Sequence, residues 1–201
     1  MKRALDVTLG FALLIVAAIP MLVIATVVRL RLGGPVLFVQ RRAGVNGRPF
    51  NLLKFRTMTN ERGADGALLP DDLRMTTFGR ALRATSLDQL PELFNVLRGD
   101  MSLVGPRPLL VEYWPLYSDE ERRRHLVRPG MTGWAQINGR NLLTWEERFA
   151  LDVWYVDHRS LILDLRIIAL TLPKVLRSEA VKPMDRETMP TLTELRGPRE
   201  V

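Results

Sequence analysis

Asp88 and Gln89 stand side by side in SLDQLPEL (86–93), a carboxylate next to a carboxamide where a helical pattern begins. Pro91 sets the frame. Proline is tolerated in the first helical turn and disfavoured deeper, so the helix starts at about Asp88 or one or two residues before it. Asp88 then lies where free N–H groups and the helix dipole favour an anion. Two roles fit that position: an N-cap, worth about 1 kcal/mol, or an ionised, oriented nucleophile for an electrophilic centre. Arg107 follows between Pro106 and Pro108. Two fixed φ angles and two missing donors make a stiff loop around one guanidinium, which suits a phosphate clamp or simply a solvated loop. Lys54 and Arg56 in LLKFRTM, with Arg80 and Arg83, could extend a cationic pocket, although each alone also fits a solvated face. There is no Walker loop and no GxGxxG, so a phosphate would be gripped by these cations and not by a glycine cradle.

The elements that must position these residues form a mostly helical α+β pattern. Val36–Gln40 and Phe50–Phe55 are short β-forming runs joined through Asn46-Gly47, which predicts a hairpin. Residues 60–72 read as a polar loop, either a lid or a connector. A short helix is expected over Thr77–Ala84, and a second from Asp88 to Arg98, striped by Leu90, Leu93, Phe94 and Leu97 and closed by Gly99. SLVGPRPLL and the glycine-punctuated stretch 128–141 read mainly as loop. Asp119–Arg124, Trp145–Tyr155 and Leu161–Leu176 read as helices, the last kinked or stopped near Pro173. From residue 179 onward a polar, proline-containing tail is expected to be loosely held. This divides the chain into an apolar N-terminal unit (1–32), a globular domain (33–178) and a tail (179–201).

The first of these units rests on Val7–Val28, about 22 apolar residues, which as a helix extend about 33 Å against a hydrocarbon core of about 30 Å. Pro20 interrupts the run midway, and positive residues flank both ends: Lys2 and Arg3 before, Arg29 and Arg31 after. The positive-inside rule draws both ends to the cytoplasmic side. A re-entrant helix–break–helix satisfies both features, and a kinked spanning helix is the competing reading.

Composition narrows the partners. Of 201 residues, 29 are Lys or Arg and 22 Asp or Glu, for a net charge of +7 that favours anionic ligands. Cysteine is absent, and the two histidines have no ligands nearby at metal-site spacing, which argues against thiolate or zinc chemistry. A nucleic-acid partner would rest on charge alone, with no recognition motif behind it.

KFRTM (54–58), SLDQLPELFNVLRGDMSLVGPRPLL (86–110) and RPGMTGWAQINGRN (128–141) together resemble the signature blocks of the bacterial sugar transferases, the small monotopic phosphoglycosyl transferases typified by the Campylobacter enzyme that starts N-linked glycan assembly. The resemblance runs from Lys2 to about Ser178. It implies an enzyme anchored at the cytoplasmic face of the bacterial inner membrane, with interfacial helices holding the reaction at the headgroup plane. The substrates would be a UDP-sugar and a polyprenyl phosphate, usually undecaprenyl phosphate, with Mg²⁺ as cofactor. An aspartate attacks the β-phosphorus, UMP leaves, and the covalent phosphosugar passes to the lipid phosphate, initiating glycoconjugate assembly.

On this chain the resemblance makes Asp88 the nucleophile and Arg107 a phosphate ligand. Pro20 matches the family's helix-breaking proline, and beside Arg107 the cations Lys54, Arg56, Arg83 and Arg140 would be phosphate- and substrate-binding companions. Loops around Met131–Asn141 and Trp145 would shape the sugar pocket. Leu161–Leu172 and the Tyr113, Trp114 and Tyr117 cluster are candidates for the membrane interface or for ordinary core. Gln89 departs from the pattern, because the family usually places a metal-associated Glu there. A carboxamide can offer a neutral oxygen to Mg²⁺ but no charge. Three readings follow: a natural active variant in which Glu92 contributes to the metal, an engineered Glu-to-Gln trap that binds substrate but turns over poorly, or a degenerate enzyme. A separate hypothesis is a non-catalytic membrane module that binds polyprenyl phosphate or anionic lipid.

Overall fold

The computed structural model describes residues 1–139, 143–176 and 190–197, without the side chains of 174–176. Helix α1 (Lys2–Leu32) is continuous over 31 residues, about 46 Å. The helix–break–helix expected at Pro20 is corrected to one helix carrying a proline. Pro20 sits on the outer, exposed side, where it removes a single hydrogen bond to the Val16 carbonyl. Asp6, Gly10, Ala17, Ile24 and Val28 are buried beneath and hold both halves to one body. The outer face stays uncovered, with Phe11, Ile15, Val16, Ile19 and Leu22 exposed.

Both ends of α1 are tied to the same domain. Lys2 Nζ pairs with Asp164 at 2.6 Å, Arg3 donates to the carbonyls of Val96 and Leu97, and Asp6 Oδ1 accepts from Ser102 Oγ and the Leu103 amide. At the other end the Arg56 guanidinium caps the helix, donating to the carbonyls of Leu32, Gly33 and Gly34. These last carbonyls have no partner within the helix, so a buried cation there satisfies them and opposes the dipole.

β1 (Leu37–Ala43) and β2 (Pro49–Phe55) form the expected antiparallel hairpin, with Asn46 and Gly47 at positive φ in the turn. A short α2 (Asp71–Arg74) precedes α3 (Thr77–Ala84), which is N-capped by Thr76 Oγ1. The expected helix from Asp88 divides in two: a 3-10 turn over Leu87–Gln89, then α4 (Glu92–Arg98). Pro91 cannot donate to the Leu87 carbonyl, and the chain before it tightens into shorter bonds, Gln89 N to Ser86 O and Leu90 N to Leu87 O. α4 ends as expected at Gly99, at φ 95°.

β3 (Ser102–Val104) pairs in parallel with β4 (Gly130–Thr132), joining two stretches that read as loop. Between them lies α5 (Asp119–Arg122), and α6 (Trp134–Asn138), α7 (Trp145–His158), α8 (Leu161–Leu176) and α9 (Leu192–Arg196) follow. The main core joins Ala17 of α1, Leu52 of β2, Leu93 and Val96 of α4, Leu103 and Val104 of β3, Tyr155 of α7 and Ile167 of α8.

Of the two roles open to the Tyr113, Trp114 and Tyr117 cluster, it takes that of ordinary core: Tyr113 and Tyr117 are buried in a second core with Leu109, Trp145, Phe149 and Leu192, and Trp114 packs against it. The expectation of a loosely held tail is corrected over residues 190–197, which are docked: Leu192 is fully buried, Trp145 Nε1 donates to the Pro190 carbonyl at 3.0 Å, and Arg196 pairs with Glu121 and Glu146. On α8, by contrast, Ile162, Leu165, Leu170 and Leu172 remain exposed.

Candidate active site

The site lies where the 3-10 turn, the start of α4, the end of β2 and the Arg107 loop converge. Ser86 enters the turn in the left-handed region (φ 58°, ψ 14°), a conformation few L-residues adopt away from strained positions. Asp88 is buried directly after it and caps no helix. Its Oδ1 is shielded from solvent and has no hydrogen-bond partner among the described residues.

Glu92 is buried one turn further on, in the first turn of α4. Asn95, fully buried, fixes that turn against β2: its Oδ1 accepts from the Leu53 amide at 3.0 Å and its Nδ2 donates to the Asn51 carbonyl at 2.8 Å. This staple sets Lys54 of β2 beside Glu92 of α4. α3 adds Arg83, whose Nε donates to Thr57 Oγ1 at 3.0 Å. The contact depends on Gly79, because a Cβ there would lie 1.8 Å from the Thr57 carbonyl oxygen. The Arg107 loop is drawn in by Leu109, whose carbonyl accepts from the Ala43 amide, and by Pro106, whose carbonyl accepts from Gly130. Arg107 Nη1 then reaches Gln89 Oε1 at 3.3 Å.

The electrostatics follow from burial. Desolvation pushes the Asp88 carboxyl above the usual carboxylate range, against the pull of Lys54, Arg107 and Arg83. Desolvation also raises Glu92 to about 7, opposed by Arg107, Lys54 and Arg42 and reinforced by Asp88. Lys54 is lowered to about 8, first by burial and then by Arg107. Two buried carboxyls thus share a pocket with several cations, an arrangement suited to a ligand that brings its own negative charge and to reacting groups with displaced pKa values.

Among the described residues no three metal-capable side chains cluster. Mg²⁺ requires less than that, since one or two carboxylates suffice when substrate phosphates and water complete the shell. The partnerless Asp88 Oδ1 and the Glu92 carboxyl fit such an ion. Gln89 fits less well, because its Oε1 is engaged by Arg107.

Of the residues singled out in the sequence, Asp88, Gln89, Glu92, Lys54, Arg83 and Arg107 come together. Arg56 does not: its guanidinium is committed to the end of α1, so its assignment to the phosphate cluster is corrected. Trp145 is buried in the second core, with its Nε1 donating to the Pro190 carbonyl. Arg140 lies outside the described residues. Sequence reasoning missed Arg42, which acts on both Glu92 and Lys54. The hairpin carried the signal: with Phe38 opposite Lys54 and Arg42 opposite Phe50, period two puts Arg42 on the Lys54 face.

A cavity of about 780 Å³ lies elsewhere, bordered by Lys2, Arg3, Asp6, Arg48 and Arg159. Volume is a poorer guide here than chemistry. Lys2 and Arg3 in that cavity are already engaged by Asp164 and by backbone carbonyls, and no member of the Asp88 cluster lines it.

A family model described as bacterial sugar transferase matches residues 1–178. The chain belongs to that family. Among curated bacterial sugar transferases, an uncharacterized one from Bacillus subtilis (strain 168), EpsL, is 53% identical over 193 residues, covering 96% of both chains. A UDP-glucose:undecaprenyl-phosphate glucose-1-phosphate transferase from Caulobacter vibrioides is 43% identical over 188 residues, 89% of this chain and 70% of the relative. An undecaprenyl-phosphate glucose phosphotransferase from Komagataeibacter xylinus is 44% identical over 191 residues, 86% of this chain but 35% of the relative, so the chain spans about a third of that protein.

Proposed function

We propose that this bacterial sugar transferase moves a sugar-1-phosphate from a UDP-sugar to a polyprenyl phosphate, with Asp88 as the nucleophile. The observation that carries the reading is Asp88 itself: a buried carboxylate with a free Oδ1, ringed by Lys54, Arg83 and Arg107, in a chain similar to UDP-glucose:undecaprenyl-phosphate transferases. An Asp88 oxygen bonds to the β-phosphorus while the bond from that phosphorus to the bridging oxygen breaks, and UMP departs with the oxygen and its electron pair. A phosphate oxygen of the lipid then takes the phosphosugar, and Asp88 returns as the carboxylate. Lys54, Arg107 and Arg42 hold the diphosphate and stabilise its growing charge, and Gln89 steadies Arg107. Asp88 and Glu92 would hold Mg²⁺, which when bound supplies Lewis-acid stabilisation of phosphate oxygens. Glu92 thereby provides the second carboxylate that Gln89 lacks, and the chain is read as an active variant.

Anchoring follows from α1. A helix fixed at both ends to one domain, with its outer face uncovered, keeps both ends on one side of a bilayer and sinks that face into the nearer leaflet. The exposed apolar residues of α8 extend this surface. The reading is therefore monotopic association with the cytoplasmic leaflet of the inner membrane, with the unbroken α1 embedded along that leaflet and crossing nothing. A long isoprenoid cannot leave the bilayer cheaply, at about 0.8 kcal/mol per CH₂, so the nucleophile must wait at the headgroup plane.

The test is UMP release from a panel of UDP-sugars, by the purified chain with undecaprenyl phosphate in detergent, alongside intact-mass analysis without the acceptor. Mg²⁺-dependent release and a phosphosugar adduct, both abolished in Asp88→Asn, are expected. Unchanged turnover in Asp88→Asn would refute the mechanism. Tight lipid-phosphate binding with neither release nor adduct would point instead to a binding module.

A further inference from the structure

Arg124 and Asp152 form a buried ion pair that the chemistry above does not use, each about 2% exposed. Arg124 Nε and Nη2 both donate to Asp152 Oδ2, at 3.0 and 2.8 Å. Burying such a pair rarely stabilises a fold, since desolvation offsets the attraction, and apolar residues would serve as well or better. The second use of Nη2 indicates what the pair does. It donates at 2.7 Å to the backbone carbonyl of Arg107, the residue whose side chain reaches Gln89 and faces both site carboxyls.

That carbonyl is an unusual handle. Pro106 and Pro108 offer no N–H, so the loop can be gripped there mainly through its oxygens. The Pro106 and Leu109 carbonyls are held by Gly130 and Ala43, and Arg124 holds that of Arg107. His125 completes the cluster: its Nδ1 lies 3.0 Å from the Gly44 carbonyl and its Nε2 lies 3.4 Å from Arg124 Nη1. These contacts require a neutral ring protonated on Nδ1, with Nε2 accepting from Arg124. The end of β1 therefore grips the loop twice, directly at Leu109 and through His125 and Arg124 at Arg107. Tyr117 and Phe149 lie against the guanidinium, with Cζ to ring-centre distances of 5.9 and 5.6 Å.

We infer that Arg124, held by Asp152 and His125, is a positioning residue that sets the direction of the Arg107 side chain through the Arg107 carbonyl. It touches no substrate. The inference rests on the phosphate-gripping role assigned to Arg107 above, and the two are tested separately by a double-mutant cycle.

Affinity for UDP is measured by titration calorimetry on the full chain in detergent, for the wild type, Arg124→Lys, Arg107→Ala and the double variant. Lysine keeps the charge but cannot span Asp152, the Arg107 carbonyl and His125 together. Arg124→Lys is expected to weaken UDP about tenfold, equivalent to about 1.4 kcal/mol. In the Arg107→Ala background the same change should have no further effect, because a positioning residue acts only through what it positions. A structural role alone would lower the melting temperature and weaken both backgrounds alike. Asp152→Asn, which keeps an oxygen for Arg124 without its charge, should show the same dependence on Arg107 and substitutes if Arg124→Lys does not fold. Losses that multiply, or unchanged UDP affinity in Arg124→Lys, overturn the inference while leaving Arg107 in place. Unchanged affinity in Arg107→Ala overturns both.

Discussion

Replacing Glu92 by glutamine is expected to stabilise the ligand-free chain and weaken its catalysis. Burial displaces the Glu92 carboxyl from 4.5 to about 7. Between those values the folded chain holds a proton that the unfolded chain has released, so stability falls as pH rises through the window. The full penalty applies above about 7 and vanishes below about 4.5. The displacement corresponds to about 3 kcal/mol, already net of the attraction from Arg107, Lys54 and Arg42. Glutamine has nearly the same shape and never ionises, so it escapes the penalty. For a chain of this length, the gain in melting temperature is about 6–12 °C. The assay is a thermal melt followed by tryptophan fluorescence at pH 8 and pH 4.5, with a chelator present. Glu92→Gln should melt higher at pH 8 and alike at pH 4.5, while UMP release falls at least about tenfold. Equal melting at pH 8, or a gain independent of pH, would refute the reading of Glu92 as a carboxyl kept in a dry site at the expense of stability.

His125 works in the opposite direction. Burial and Arg124 lower it from 6.5 to about 3, so stability is lost as pH falls from about 6.5, approaching about 1.4 kcal/mol per pH unit. His125→Gln should flatten that dependence in the same melts; because the two groups oppose one another between about 4.5 and 6.5, the single variants reveal what the wild type conceals. Gln89→Glu places a third carboxyl beside Asp88 and Glu92 and a charge on Arg107. It should make UMP release more sensitive to Mg²⁺ concentration, and a Mg²⁺ titration unchanged from wild type would count against Glu92 as the working substitute. Leu192→Ala empties a fully buried position between Tyr113, Trp145 and Phe149 and should cost about 2–4 kcal/mol, read as a lower melting temperature; an unchanged melt would mean that α9 does not dock.

Much of the local structure was legible because neighbouring residues decide it. Thr77–Ala84 is a helix with the predicted boundaries, Gly99 ends α4, and Asn46-Gly47 turns the hairpin. Each of these depends on conformational preferences within a few positions. The division of the Asp88 helix was legible in principle. Pro91 was read as a permitted first-turn residue, but its missing donor also stops the preceding turn from joining α4. Glu92 could be named as a candidate from its spacing, but its burial and raised pKa could not, because they come from Asn95 binding β2 more than forty residues away.

The sequence by itself determined the chemical inventory: an apolar N-terminal helix, a carboxylate at the start of a helical segment, an arginine held between prolines and a surplus of cations. It could not rank the cations. Arg56 and Arg107 look equally suited to phosphate in one dimension, yet one caps α1 and the other reaches Gln89. Nor could it show that both ends of α1 rest on one body, that β3 finds β4, or that Arg124 turns inward to hold a carbonyl 17 residues earlier in the chain. A side chain's own chemistry is a local property. Which partner it meets depends on the folded path of the backbone, and only the tertiary structure decided that.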